Sequence, residues 1–453
     1  MSSPRPPNLA LRTLLVEARW SGARLAREVN ALAAEQGLTL RYDRTAVSHW
    51  LTGTRPHPPA GDLVAEALSR YLGRKVAVAD AGLAVAHRAH GTHPPRGGED
   101  AIAELQRLGA VTGRRSAART GVFSLTALML PGWDAPTGPP VPAPARRSST
   151  GRTAPPDVAA AGLLLRLFSQ HDTAFGAGRV RDPLRAYLAT TVSVWLEQST
   201  PPGLRGELCT VAGQLAYLCA FAHFDGNLQE QAQRYYLTGI SLAREAGDRV
   251  GFALGARGLS IQALSLGHAR EADRLAELAV RVGLPHAPAH QQAFLLGHLA
   301  VTQAHLGERR AAARHLIDAE KRLELSDSVP TPVGAFHFGS LSLQHAAVAR
   351  AQQDHAVEAR HLVASLQGRP QGENRARSLS LATLAEAQLN EGHLDLACQS
   401  WGAFLDLYPG VSSARAHDRL RVLLSRLRPY AAHSAVPPLL EQARALSGRR
   451  AAR

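Results

Sequence analysis

Arg41-Tyr42-Asp43-Arg44-Thr45-Ala46-Val47-Ser48-His49-Trp50-Leu51-Thr52-Gly53-Thr54-Arg55-Pro56 reads as one short helix with marked ends. Asp43 is a good N-cap: its carboxylate can accept from the free N–H groups of the first turn, at the end where the helix dipole favours negative charge. Gly53 tolerates the left-handed conformation that stops a helix. Between these stops Val47, Trp50 and Leu51 fall on one face, while Arg44, Thr45, Ser48 and His49 fall on the other. One face packs, and the other is free to read a polar partner.

Outward from this helix the flanking chain repeats the amphipathic pattern. Ser21 can cap a helix whose apolar stripe is Leu25, Val29 and Leu32, and Leu11, Leu14, Leu15 and Ala18 form another before it. After Pro58-Pro59 a fourth helix carries Val64, Ala67, Leu68, Tyr71 and Leu72. Apolar spacing alone is common to nearly every surface helix. The ordered combination of cap, polar positions, Trp-Leu, Gly and Arg-Pro is more specific.

Four short helices with a capped, basic third resemble an Xre-type helix-turn-helix domain. The resemblance rests on Leu25 through Glu28, Thr45 through Leu51, and Gly53 through Arg55 to Pro56. One departure is the stretch Ala34 to Tyr42, which allows a longer second helix or an irregular loop where the family has a short turn. The resemblance implies double-stranded DNA as partner, with Arg44, Thr45, Ser48 and His49 facing the major groove and Arg41 and Arg55 near phosphates. One such domain reads few base pairs, so a homodimer on a two-fold site is expected.

The 453 residues are too many for one core, and 45% apolar content suits a globular chain. A net charge of +14 makes a polyanionic partner plausible, but charge alone fits RNA, DNA or an acidic membrane surface equally. Met1 to Leu130 hold 17 basic against 10 acidic residues, a slightly denser excess than in the remainder. Lys75 and Lys321 are the only lysines, and guanidinium forks suit phosphates and guanine edges. Cys209, Cys219 and Cys398 are odd in number and widely spaced in apolar helical patterns, as buried reduced thiols of a cytoplasmic protein would be. No secretory signal opens the chain.

We divide the chain into a DNA-binding domain at 1–75, a connector with helices at 76–130, a Pro-rich flexible linker at 131–156, and a helical repeat domain at 157–453. His87, His90 and His93 are spaced like metal ligands but read as a solvated connector. Arg114-Arg115 before the apolar run from Gly121 to Leu130 resembles an export signal, yet it is internal and too short to span a bilayer. Ala101 to Leu108 and Ser116 to Leu130 are expected as helices lying against other protein. Pro131 to Pro156 has almost no aliphatic residues with which to offset its own ordering entropy.

Beyond it the chain repeats. Taking Asn227, Gly267, Gly307, Asp354 and Gly392 as turns, the residue five further on is always alanine, namely Ala232, Ala272, Ala312, Ala359 and Ala397. Seven before each turn stands Ala220, Ser260, Ala300, Ala347 or Ala385. A small residue on each helix lets two backbones approach, and the turn residue must tolerate a left-handed conformation. This register resembles the tetratricopeptide repeat, over about Leu208 to Leu407, with intervals of 40, 40, 47 and 38 residues and helix pairs capping both ends. The resemblance implies a concave groove on the first helices, reached by Tyr217, Phe221, Arg257, Ile261, Gly297, Val301, Gln344, Val348, Ala382 and Glu386. There a peptide, protein or small effector would bind, Arg257 holding a carboxylate and Gln344 a peptide amide.

No Walker loop, GxSxG elbow, HExxH or paired-cysteine motif occurs, and Gly176 to Gly178 reads as a helix stop. His298 and His305 read as polar helix positions. The expectation is an all-α, non-enzymatic chain without cofactor, metal or membrane partner, whose two resemblances together are similar to actinobacterial developmental and antibiotic regulators. The rival readings are a protein-interaction scaffold whose first domain does not read DNA and an enzyme whose site carries no recognised motif.

Overall fold

The computed structural model describes residues 6–35, 38–83, 98–110, 122–134, 152–326 and 331–451. The described elements are helices, with one isolated β-bridge between Arg152 and Ser199. None of the helices is long and apolar enough to cross a membrane.

Four helices, α1 (Leu9–Glu17), α2 (Gly22–Glu35), α3 (Arg44–Leu51) and α4 (Ala60–Leu72), form the first core. The apolar stripes read from the sequence meet there, with Leu11, Leu25, Val29, Val47 and Leu68 fully buried, while on the fourth helix Leu63 joins them and Tyr71 is exposed. Each such side chain contributes roughly 1.5–3 kcal/mol relative to exposure. Ser21 accepts from Arg24 N–H at 3.2 Å and Asp43 from Ala46 N–H at 2.9 Å, so both expected caps form. Helix α2 is described as far as Glu35 and residues 38–43 are non-helical, so the described part of the connection to α3 is a loop.

Helix α5 (Gly98–Gly109) lies against the repeat array, Glu104 pairing with Arg234. The helix expected over Ser116 to Leu130 does not form in its described part. Residues 116–121 lie outside the described residues, and 122–134 contain no α-helix, only a 3-10 turn at Thr126–Leu128 and a turn at 133–134. The reason lies in what flanks the segment. Val122 enters the first core while Phe123 enters the repeat core, and only the alternation of an extended chain sends neighbours to opposite sides. Its backbone is satisfied by side chains: Ser124 N–H donates to Gln233 at 2.9 Å, Gln233 donates back to Ser124 O at 2.7 Å, and Leu125 N–H donates to Glu66 at 2.8 Å. His87, His90, His93 and Arg114-Arg115 lie outside the described residues, as does most of the expected linker, 135–151. At the linker's edges Trp133 stands edge-on to Phe252, and the next helix already begins at Pro155.

That helix, α6 (Pro155–Phe175), precedes α7 (Arg181–Tyr187), which continues through a widened turn, Leu188–Val192, into α8 (Ser193–Glu197). Six helical hairpins follow: α9 (Pro202–Asp225) with α10 (Gln229–Glu245), α11 (Arg249–Ser265) with α12 (Ala269–Gly283), α13 (Ala289–His305) with α14 (Arg309–Glu324), α15 (Phe338–Ala351) with α16 (His355–Gln367), α17 (Asn374–Asn390) with α18 (Leu394–Leu407), and α19 (Ala414–Leu427) with α20 (Val436–Ala451). The hairpin turns fall where the repeat register puts them. Asn227, Gly267, Gly307 and Gly392 have φ of 58°, 90°, 82° and 83°. The fourth turn is shifted by one: Gln353 takes the left-handed conformation (φ 61°), and Asp354 instead caps α16, accepting from Val357 N–H at 3.0 Å. A carboxylate satisfies a helix start better than it serves a turn.

The small residues do bring the paired helices together. Ala232, Ala272, Ala312 and Ala397 are fully buried, and Ser260 Oγ donates to Ala272 O at 2.6 Å across the second hairpin. The fourth hairpin is looser, with Ala359 half-buried and Val363 exposed. His298 is a polar position on its helix, as read, and it is buried, its Nε2 lying 2.8 Å from Ser260 Oγ.

The array closes on itself. Helix α6 packs on both α9 and α17. Gly176, at φ 82°, ends it where a Cβ would collide with the Ser412 backbone, and Ser412 N–H donates to Phe175 O at 2.7 Å. Arg375 reaches Asp172 at 3.2 Å, and Ser413 Oγ donates to Asp225 at 2.8 Å. The side formed by the first helices is thereby turned inward. The four-helix unit is clasped to the outside: Glu35 pairs with Arg70 at 2.8 Å and with His268 at 2.7 Å, and the His268 ring stacks on Phe123. Burial works to raise the Glu35 carboxyl, but hydrogen bonds from His268 and Arg70 outweigh it and hold it below the usual range.

Candidate nucleic-acid interface and inner groove

Helix α3 is held from behind and bare in front. Val47 and Trp50 are buried, Tyr42 meets Trp50 edge-on at 5.1 Å, and a Cβ on Gly22 would stand 3.3 Å from Val47, so α2 and α3 approach closely. The loop entering α3 is fixed by one side chain. Asn30 accepts from Tyr42 N–H at 2.9 Å and donates to Tyr42 O at 2.8 Å. At the far end Gly53, at φ 98°, turns the chain while Thr54 N–H donates to His49 O at 2.9 Å.

Arg41, Arg44, Thr45, Ser48, His49 and Arg55 are all exposed, and none of the three arginines makes an ion pair among the described residues. Arg44 and Ser48, and Thr45 and His49, are neighbours at one-turn spacing, so the four present a single polar, basic face. A surface of this kind offers fork donors and hydroxyls in fixed positions, able to meet phosphates and base edges. We expect Asn30→Ala to lower stability by about 1–2 kcal/mol, because two backbone groups lose their partner together. An unchanged denaturation midpoint would show that water replaces both bonds.

The groove residues are less accessible. Arg257 is 4% exposed, its Nε–H donates to Phe294 O at 3.1 Å, and its guanidinium carbon sits 3.3 Å from the centre of the Phe294 ring. Burial pushes this guanidinium down to about 10, against Tyr217 and Tyr236, which favour the charge. Tyr217 and Phe221 are half-buried, and Tyr217 stands edge-on to Tyr236 at 5.5 Å. Ile261 and Gln344 are half-buried and Val301 is buried. Part of the groove is filled by the chain itself. Val333 inserts beside Leu254, its carbonyl accepting from Gln291 at 3.0 Å, Pro332 O accepts from Ser169 at 2.6 Å, and Phe336 packs on Phe294. Beside Tyr217 a small recess remains, with room for about one water molecule, lined by Gly213, Gln214, Leu254 and Val333 among others.

Residues 11–84 match the family model of the SP15 N-terminal domain. The match covers α1 to α4 and leaves out the repeat array. No curated protein matches the chain.

Three polar residues of the inner wall escaped the repeat register, which counts back only ten and six residues from each turn. Asp172, Arg375 and Arg415 lie at the end of α6 and the starts of α17 and α19. A signal for two of them was present. Arg375 and Arg415 are each the second residue of a helix, where the dipole disfavours a cation.

Proposed function

We propose that the chain is a DNA-binding transcriptional regulator. In this reading α2, the loop after it and α3 form an Xre-type helix-turn-helix, and the closed array, tetratricopeptide-like in register, binds a peptide, protein or small effector, mediates pairing, or does both. DNA as partner implies the cytoplasm as the place of action. The observation that carries the reading is the front of α3, a capped and rigidly backed helix whose Arg44, Thr45, Ser48 and His49 are exposed together. The clasp through Glu35, His268 and the 122–130 segment supports communication, since it joins the reading unit directly to the array.

Arg44→Ala is expected to weaken binding to the best site by roughly 1–3 kcal/mol and to blur preference at one base pair. Binding maps supply the site, and titrations at several salt concentrations separate DNA binding from the scaffold alternative, which predicts no salt-dependent affinity. Unchanged affinity and unchanged discrimination in Arg44→Ala would remove the assignment. Light scattering on the same samples tests pairing, because a monomer that protects a palindromic site contradicts the expected homodimer.

A further inference from the structure

Part of the concave side of the array is filled by a stretch of chain that is not a helix. The connection from α14 to α15, 325–337, is the longest between successive hairpins, the others being 246–248, 284–288, 368–373 and 408–413. Its residues 331–336 run back across the inner face to helices far upstream. Ser169 of α6 donates to Pro332 O at 2.6 Å, Gln291 of α13 donates to Val333 O at 3.0 Å, and Gly334 stands against Leu254 of α11. Val333 lines the same recess as Tyr217, and the Phe336 ring is 3.6 Å from where a Cβ on Gly297 would lie. Tyr217 and Gly297 are both positions expected to face an effector.

The segment is held as a separate peptide would be. Among the described residues, 331–336 make no backbone-to-backbone hydrogen bond. Side chains hold it instead: besides Ser169 and Gln291, Thr331 Oγ1 lies 3.2 Å from His290 Nε2 and donates to Val333 O at 2.9 Å. Val333 and Phe336 are buried, while Ala335 between them faces outward. Donors aimed at carbonyls, with pockets for separated side chains, are how extended peptides are recognised. The neighbouring recess has room for about one water molecule, so a ligand reaches this part of the groove only by taking the place of the segment.

We propose that residues 331–336 are a tethered ligand of the concave face, and that the array binds an extended apolar peptide by exchanging it for this segment. The peptide carries an aliphatic residue and, three positions on, an aromatic one. This rests on, and narrows, the reading of the array as an effector-binding unit. Gly334 governs how firmly the segment is seated. It takes φ 76°, and a Cβ there would stand 3.1 Å from Gln291 and 3.2 Å from Leu254, so alanine loosens the segment without altering the wall that holds it. A tethered competitor acts at an effective concentration on the order of millimolar, and loosening it raises the affinity for a free peptide.

The test uses the full chain and a fluorescein-labelled Thr-Pro-Val-Gly-Ala-Phe amide, titrated by fluorescence anisotropy. In a control peptide serine replaces the valine and the phenylalanine. Binding is expected to be about tenfold tighter to Gly334→Ala than to the parent chain. Pro332→Gly introduces no side chain and gives the released segment more freedom, so it should also bind more tightly, by several-fold. Cooperative melting of each variant shows that it is folded, and the control should bind none of the three chains. Equal affinity for the parent and both variants, equal binding of the control, or no binding to either folded variant overturns the proposal. DNA affinity at several salt concentrations, with and without peptide, separates it from the regulatory reading. Peptide exchange that leaves DNA affinity unmoved upholds the tethered ligand and removes that reading; no peptide binding in a chain whose DNA affinity is salt-dependent removes the tethered ligand alone.

Discussion

Stability is expected to fall steeply as the pH drops from about 6.5 towards 4. His223 is 3% exposed on α9, and burial holds its imidazole down to about 4 from an ordinary 6.5. The backbone carbonyl of Cys219, 2.8 Å from Nδ1, pulls the other way but does not prevail. Because a carbonyl only accepts, the proton of the neutral ring sits on Nδ1. Between pH 6.5 and 4 the unfolded imidazole is protonated and the folded one is not, so the unfolded chain holds the additional proton and gains from each drop in pH. His223 alone accounts for a loss of about 3 kcal/mol across that window. His298, buried beside Ser260, and His345, held down to about 4 with its ring 4.8 Å from that of His361, act in the same direction. Denaturant titrations at pH 7.5, 6 and 5 measure the effect. His223→Gln keeps a donor for the Cys219 carbonyl and should make the acid limb shallower by one proton; an unaltered limb would exclude His223 as its source.

Asp172→Ala should lower stability by about 3–5 kcal/mol, the range found when one member of a buried ion pair is removed. Asp172 is 4% exposed and meets Arg375 at 3.2 Å, where α6 closes against α17. Burial pushes the Asp172 carboxyl up from its ordinary range, and Arg375 is the main influence opposing it. Removing the carboxylate leaves a guanidinium over Phe221 without its ion-pair partner, Asp225 and Glu373 being the anions that remain in electrostatic reach. Replacing both members by leucine and methionine should recover most of the loss, since the charge is then gone along with its partner. Chemical denaturation of the two variants decides the matter. If the single variant loses less than about 1 kcal/mol, the pair does not hold the ring of hairpins closed.

What was legible in the sequence was what neighbouring residues decide. The ends and faces of α3 are set by Asp43, Gly53 and the spacing between Val47 and Trp50, all within one short stretch. The hairpin turns recur, so Asn227, Gly267, Gly307 and Gly392 reinforce one another, and the fourth was misplaced by one residue only because Asp354 has a second use as a cap. Contacts made far along the chain left no such trace. The run before Leu130 has the apolar content of a helix, but Gln233 and Glu66, 109 and 59 residues from their backbone partners, hold it extended. His298 reads only as a polar helix position, because the partner that accompanies its burial, Ser260, lies 38 residues upstream. Arg257 was singled out by its register position, whereas its burial against Phe294 depends on how two successive hairpins pack.

The four-helix unit borrows part of its interior from downstream. Val122, 6% exposed, belongs to the same cluster as Leu11, Val47 and Leu68, although it follows them by more than fifty residues and lies beyond the family match at 11–84. A fragment cut where that match ends would keep all four helices and lose a plug. Its surface would then show an apolar socket where the whole protein shows none, together with a Glu66 carboxylate deprived of the Leu125 amide. The boundary visible in the sequence and the boundary of cooperative folding are therefore different places, and a minimal fragment carrying the four helices has to extend through residues 122–125 to keep its core closed.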